Sequence, residues 1–161
     1  MTTNRKPLLI AGALAACGVL GFIAARLAVP LVSPPPQNLG VREGQLAPCP
    51  NTPNCVSSQA EAAGHNVPPI AYTSTTAQAR ATLLELIAGQ PRTRLVASTP
   101  DYIYIETRTP GFGFIDDTEF YFEEEAKLIQ VRAAARLGLE DFGVNRGRIE
   151  AISRAFYAAA Q

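Results

Sequence analysis

The sequence predicts an α+β fold, in which an antiparallel sheet of about four to five strands is packed by two helices and preceded by an N-terminal transmembrane or signal helix. Three observations predict it: a long apolar stretch near the N-terminus, four closely spaced segments of strand-like alternation, and helical spacing before and after those segments. A length of 161 residues, 47% of them hydrophobic, favours one globular domain. The balance of 14 basic and 14 acidic residues excludes a disordered, strongly charged tail.

The chain divides into three parts by composition. Residues 1–28 form an N-terminal membrane anchor or signal segment, 29–45 a proline-rich linker and 46–161 the globular domain. The linker has no apolar periodicity, so we expect an extended, semi-rigid spacer that holds the domain off the membrane.

The N-terminal segment has three interpretations. Leu8–Ala25 contains 18 residues without a charge, which is about 27 Å of helix and nearly a bilayer core. Basic residues precede it more densely than they follow it, so an uncleaved anchor would export the domain. A cleaved signal peptide is the second interpretation. The third is a lipoprotein, since residues 14–17 resemble a lipobox and would place a lipid on Cys17.

Two further cysteines, Cys49 and Cys55, flank a short Pro/Asn loop. In an exported protein a disulfide between them is the natural pairing, with Cys17 left over. Free thiols and a metal site are the alternatives. A metal site is disfavoured, because the spacing is not that of a zinc knuckle and His65 is the only histidine. No metal or other cofactor is therefore expected.

The elements of the domain follow from periodicity. A helix is predicted within 73–91, capped near residues 74–76 and stopped by Gly89 and Pro91. A closing amphipathic helix is predicted within 145–160, with Asp141 and Asn145 as cap candidates. A short extended piece is expected at 67–73, followed by strands at 93–98, 101–108, 113–124 and 127–136.

Alternation along the strands predicts a charged sheet face. In 112–122 the phenylalanines share one parity, which we assign to the core, and Asp117, Glu119 and Tyr121 point the other way. Asp116 and Thr118 then fall on the phenylalanine side, unless a bulge near Gly113 shifts the parity. Neighbouring strands add further residues to the charged face: Tyr102, Tyr104, Glu106, Arg108, Arg132 and Arg136.

Several uses of this face are open. A solvated, salt-bridged surface is the ordinary interpretation, and a polar ligand site is another. A catalytic pair of carboxylates is disfavoured, because adjacent arginines would hold both acids ionised. Divalent metal binding by Asp116, Asp117 and Glu119 is possible but unspecific.

The sequence lacks the motifs of nucleophilic catalysis, phosphate binding and nucleic-acid binding. Cys55, Ser57, Ser58 and His65 lie close in sequence, but no nucleophile elbow surrounds them. The GFGF stretch at 111–114 lacks the lysine of a phosphate-binding loop. Residues 45–161 carry ten basic and thirteen acidic residues, which gives no electrostatic footprint for nucleic acid.

Three ordered motifs resemble the domain of unknown function family 1499 of bacteria and plants: CPNTPNCVSSQ, GFIDDTEFYF and VRAAARLGLEDFGVNRGRIEAI. The resemblance covers about residues 46–158 and implies no assigned activity. Ala133 and Ala135 stand where the family pattern has serines, which argues against a serine-dependent reaction. The candidate ligand-binding residues lie within these motifs: Asp116, Asp117, Glu119, Arg132, Arg136, Asp141, Asn145 and Arg146.

The sequence as a whole favours a membrane-anchored, non-catalytic binding module facing the periplasm or an equivalent lumen, with an envelope ligand or a protein as its partner. One alternative is an envelope hydrolase or transferase that uses Asp116, Asp117 and Glu119. The other is a structural partner subunit of a membrane complex.

Overall fold

A computed structural model describes residues 6–160 of the chain. Within that range the helices are α1 (Lys6–Val32), α2 (Thr76–Ala88) and α3 (Val144–Ala159). The strands are β1 (Cys55–Ser57), β2 (Ile70–Ala71), β3 (Thr93–Ser98), β4 (Tyr102–Arg108), β5 (Ile115–Glu123) and β6 (Leu128–Ala135). The α+β prediction is therefore confirmed.

All strand pairs are antiparallel, and the sheet order is β1-β6-β5-β4-β3, with β2 also paired to β6. The four predicted long strands match β3 to β6 to within two residues at either end. β1 was not predicted as a strand, because three residues are too few to show alternation.

Helices α2 and α3 pack on one face of the sheet, which we call the inner face. α2 begins with a capping box, in which the Thr75 hydroxyl accepts from the Gln78 N–H and the Gln78 side chain accepts from the Thr75 N–H. Inner-face strand residues and the apolar stripes of both helices form one core, including Ile103, Ile105, Phe120, Phe122, Leu83, Ile149 and Phe156. Burying each such side chain contributes about 1.5–3 kcal/mol.

The prediction that Phe112 and Phe114 belong to the core is wrong. β5 begins only at Ile115, and these two rings are 47% and 41% exposed. Gly111 and Gly113 both adopt positive φ, 74° and 77°, which bends the chain out of extended conformation before the strand begins. No bulge at Gly113 corrects the parity of β5, so Asp116 and Thr118 do lie on the inner face.

α1 is long and apolar enough over Ile10–Val32 to cross a membrane. Its residues from Ile10 to Arg26 are exposed, although Phe22 and Arg26 contact the loop between β4 and β5. It continues through Val32, past the predicted boundary at residue 28.

Residues 33–46, which we call the strap, do not form the free spacer that the sequence predicts. They lie on the outer face of the sheet, the face turned away from α2 and α3, and both Ser33 and Leu46 are buried. The Leu46 N–H donates to Gln59 Oε1 over 2.8 Å, and Gln59 Nε2 donates to the Gly44 carbonyl over 3.0 Å. The strap is therefore an integral layer of the domain.

Candidate functional site

The charged residues that alternation placed together do meet on the outer face. Strand pairing sets Glu106 opposite Asp117, and Glu119 opposite Arg132. We call this set, together with Tyr102, Tyr104 and Arg136, the outer-face network. The expectation of a solvated surface is wrong, because the carboxylates and arginines of the network are at most 7% exposed.

Arg136 is the centre of the network. Its Nε donates to both oxygens of Asp117, over 3.1 and 2.9 Å, and its Nη2 donates to Asp117 Oδ1 over 2.7 Å. The same Nη2 reaches Glu106 Oε1 at 2.5 Å, while Nη1 donates to the Ser33 carbonyl at 3.1 Å. One guanidinium therefore pairs with two carboxylates, of which Glu106 is also paired with Arg94, and it fixes the start of the strap.

Tyr104 and Glu106 complete this half of the network. The Tyr104 hydroxyl donates to Asp117 Oδ1 over 2.5 Å and accepts from Arg136 Nη2 over 2.8 Å. Burial raises the pKa of Tyr104, and the hydrogen bond to the Asp117 carboxylate raises it further. Burial also acts to raise the pKa of Glu106, but hydrogen bonds from Arg94 and Arg136 outweigh it, so that pKa lies below its ordinary value.

Glu119 anchors the other half and is fully buried. Its carboxylate accepts from Arg132 Nη1 at 3.2 Å, from the Tyr102 hydroxyl at 2.7 Å and from the Gly40 N–H at 2.7 Å. Burial raises the pKa of Tyr102, and the adjacent Glu119 charge adds to that effect. The Gly40 contact closes the strap over this carboxylate.

Three other candidates lie away from this network, on the inner-face side of the sheet near α3: Asp116, Asp141 and Asn145. Arg148 Nη2 donates to Asp116 Oδ2 and its Nη1 donates to Asn145 Oδ1, both over 2.6 Å. Asp141 accepts from the N–H groups of Gly143 and Asn145 and so caps the start of α3. Burial raises the pKa of Asp116, although Arg148 opposes the shift.

Arg146 occupies a third place, where it donates to the carbonyls of Asn66 and Gly64 over 2.8 and 2.9 Å. The eight candidates that the sequence singles out therefore divide among three separate environments. Sequence reasoning missed Arg148, which flanks the buried stripe of α3 formed by Asn145, Ile149, Ile152 and Phe156.

The predicted Cys49–Cys55 disulfide is present, with a Cα–Cα distance of 5.6 Å. Cys17 is free and exposed on α1. Among the described residues no group of three or more His, Cys, Asp and Glu side chains is placed to hold a metal ion.

The serines after the disulfide serve the fold. Ser58 donates to Gln130 Oε1 over 2.7 Å and accepts from the Val131 N–H over 2.8 Å, while Ser57 accepts from the Gln59 N–H over 3.1 Å. His65 Nδ1 lies 2.9 Å from the Cys55 carbonyl. Among the described residues no hydrogen bond joins His65 to Ser57 or Ser58, so these side chains do not form a nucleophile–base pair in this structure.

The chemistry available to the buried acids is limited by their partners. Asp117 and Glu119 each face an arginine, and Asp116 faces Arg148. A general acid or base must reach its substrate, whereas these three carboxylates are buried and each is hydrogen-bonded to an arginine. Because its charges are paired and the strap covers it, the outer-face network is suited to stabilising the fold and fixing the strap on the sheet.

An open groove lies at the end of the sheet opposite the β4–β5 loop, where the β3–β4 and β5–β6 turns meet the start of α2. This distal groove has a volume of about 1120 Å³ and is lined by residues that include Thr76, Arg80, Asp101, Tyr121, Glu123 and Glu125. Arg80 Nε donates to the Thr99 carbonyl over 2.8 Å, which holds α2 against the β3–β4 turn.

A family model described as "Protein of unknown function (DUF1499)" matches residues 45–156. No curated protein and no solved structure shows a significant match to the chain.

Proposed function

Because the chain belongs to the DUF1499 family of unknown function, we propose its role from its geometry: a membrane-anchored, non-catalytic binding module of the cell envelope that takes a protein partner in the distal groove. The observation that carries the proposal is the position of this groove. It lies at the end of the sheet opposite the β4–β5 loop, which contacts α1, so in the anchored protein that we propose the groove points away from the membrane.

Two features support the anchored, exported placement. α1 is long and apolar enough to span a bilayer, and the Cys49–Cys55 disulfide is typical of an oxidising compartment outside the cytoplasm. The strap then fixes the domain to the helix through Arg136 and Glu119, which gives a rigid mount.

The groove has the features of a docking surface for a polar partner. Its rim carries four carboxylates, Asp101, Glu123, Glu124 and Glu125, with Arg80 as the basic residue beside them. This charge pattern favours a partner that presents basic side chains. The hydrolase alternative gains no support from the geometry, because its three carboxylates are buried in ion pairs with arginines.

Photo-crosslinking in native membranes tests the proposal. A photoreactive residue replaces Ala77, which is exposed and lines the groove, and in a matched variant it replaces Ala151, which is exposed on α3 outside it. We expect a discrete protein adduct from position 77 and none from 151. Reversing charge with Glu124→Lys and Glu125→Lys should weaken the adduct. Equal labelling from both positions, or no adduct at 77, would contradict the groove as the binding surface.

A further inference from the structure

The end of the sheet nearest α1 carries most of the domain's exposed large apolar side chains. This proximal end is where β4 ends, β5 begins and β6 ends. Outside α1, eight large apolar side chains of the described residues are exposed, and five of them lie on or beside the two loops at this end: Phe112, Phe114, Leu139, Phe142 and Val144. The clustering calls for an explanation, because exposed apolar residues of soluble surfaces are usually scattered singly.

Strand pairing brings the two loops together. Arg108 pairs with Ile115 across the β4–β5 loop, and the Arg136 N–H donates to the Ile115 carbonyl over 3.0 Å as the chain leaves β6. The β4–β5 loop (109–114) and the segment from 138 to 144 therefore leave the same end of the sheet.

The first of these loops contacts α1 directly. The Phe112 ring lies 5.2 Å from that of Phe22, measured between centroids, and 5.9 Å from that of Phe114. The Arg26 guanidinium, four positions further along α1, donates to the Gly111 carbonyl. Four residues are about 6 Å of helix, so the β4–β5 loop contacts α1 where its uncharged stretch ends and Arg26, the next charged residue, begins.

Phe142 gives the second loop its most exposed apolar group. Its ring is 88% exposed, and its backbone has φ of 54°, which bulky side chains rarely adopt. Asp141 holds this turn by accepting from Gly143. The folded domain gains no burial from the ring, whereas a bilayer interface would remove it from water.

We infer that the loops 109–114 and 138–144 insert into the interfacial region of the bilayer that α1 spans, as a second membrane contact of the domain. The inference rests on the anchoring part of the proposed function. Lipid is favoured over a second copy of the chain because the ring of Phe112 packs on Phe22, so the apolar surface of this loop is continuous with that of α1.

The charge at this end fits a phospholipid surface. Arg92 Nε donates to the Arg108 carbonyl over 3.2 Å, so the exposed Arg92 lies at the proximal end beside the last residue of β4, in addition to Arg26 on α1. Glu140, on the segment 138–144, is an exposed acid. Arginines at the edge of an apolar surface suit the phosphate layer above an acyl boundary.

Tryptophan quenching tests the inference directly, because the chain contains no tryptophan. Full-length Phe142→Trp is reconstituted in phosphatidylcholine/phosphatidylglycerol vesicles, with or without lipid brominated near the carbonyl end of the acyl chain. Tyr157→Trp is the matched control, since Tyr157 is an exposed aromatic residue near the other end of α3. We expect a blue-shifted emission and loss of most of the fluorescence in brominated vesicles at position 142, and neither change at 157.

Cys17 reports separately on the anchor. It is the free thiol of the chain, lies on α1, and should resist a membrane-impermeant maleimide in vesicles but react in detergent. Protected Cys17 with no bromine quenching at 142 would overturn the loop contact and leave the anchor intact. A blue shift without bromine quenching would also overturn it, because a protein surface would then cover the ring. Labelling of Cys17 in intact vesicles would overturn both the anchor and the contact that rests on it.

Discussion

The carboxylate of Glu119 accepts a 2.7 Å hydrogen bond from the backbone N–H of Gly40, 79 positions earlier in the chain. This bond joins the strap to the middle of the sheet and closes the outer face over a charge that is removed from water. Arg132 supplies the opposite charge at 3.2 Å. Glu119 on strand β5 therefore fastens the segment that leads from α1 into the domain.

Replacing Glu119 by glutamine should destabilise the domain strongly. The change leaves the side chain nearly isosteric but deprives the buried Arg132 of its counter-ion, and breaking a buried pair in this way costs about 3–5 kcal/mol. Urea unfolding of the full-length protein in detergent measures the change. Glu150→Gln, at an exposed position on α3, is the control and should stay within about 0.5 kcal/mol of the parent. Equal stability of the two variants would show that the buried Glu119–Arg132 pair does not contribute to the free energy of unfolding.

The Tyr104 hydroxyl should contribute measurably to stability. Tyr104→Phe removes the 2.5 Å hydrogen bond to Asp117, and hydrogen bonds to charged groups contribute about 1.5–3 kcal/mol. The matched control is Tyr121→Phe, since Tyr121 is a half-buried tyrosine on the neighbouring strand whose hydroxyl is outside the network. Unfolding midpoints in urea should fall clearly for position 104 and hardly at all for position 121. The reverse order would contradict the network.

Glu106 should make the domain less stable as the pH falls. Its pKa is lower in the folded protein than its ordinary value of 4.5, so the unfolded chain binds a proton first as acid is added. The stabilisation is present above pH 4.5 and is lost as the pH falls through the lower, folded pKa. Asp116 acts in the opposite direction because its pKa is raised, and a comparison of single variants separates the two.

The measurement is the free energy of unfolding of Glu106→Gln and of the parent at several pH values from neutrality into this acid range. The parent should lose more stability than the variant below pH 4.5. Parallel curves would show that Glu106 does not titrate differently in the two states.

The disulfide should stabilise the domain modestly. Cys49 and Cys55 are 6 positions apart, and closing so short a loop in the unfolded chain contributes about 2 kcal/mol in the chain-entropy model. Adding reductant, or replacing both cysteines by serine, should lower the urea midpoint accordingly. Cys17→Ser is the control, because Cys17 lies on α1 outside the domain. An unchanged midpoint after reduction would contradict this assignment.

Alternation was enough to predict which side chains of the long strands share a face. Ile103, Ile105, Phe120 and Phe122 are buried against the helices, as their parity indicates. Alternation gives the wrong placement for Phe112 and Phe114. It applies only to an extended chain, and two glycines with positive φ interrupt the extended conformation there.

The strap could not be predicted from its composition. Prolines without apolar periodicity are typical of a spacer, and two of the contacts that fasten the strap use its backbone, the Gly40 N–H and the Ser33 carbonyl. Backbone groups leave no side-chain pattern to read. The division of Asp116 from Asp117 follows from strand geometry, since adjacent residues point to opposite faces, but the pairing of Asp116 with Arg148 depends on how α3 lies across the sheet.

Hydrogen–deuterium exchange of the full-length protein, reconstituted in lipid nanodiscs, tests whether the strap is a fixed part of the folded domain. If the strap is fixed, the amide of Gly40, which donates to Glu119, and that of Leu46, which donates to Gln59, should exchange slowly. Glu119→Gln should also speed exchange at Gly40 more than at Leu46. Exchange of both amides at the rate of an unstructured chain, while β5 and β6 stay protected, would contradict this prediction and show that the segment is a free spacer.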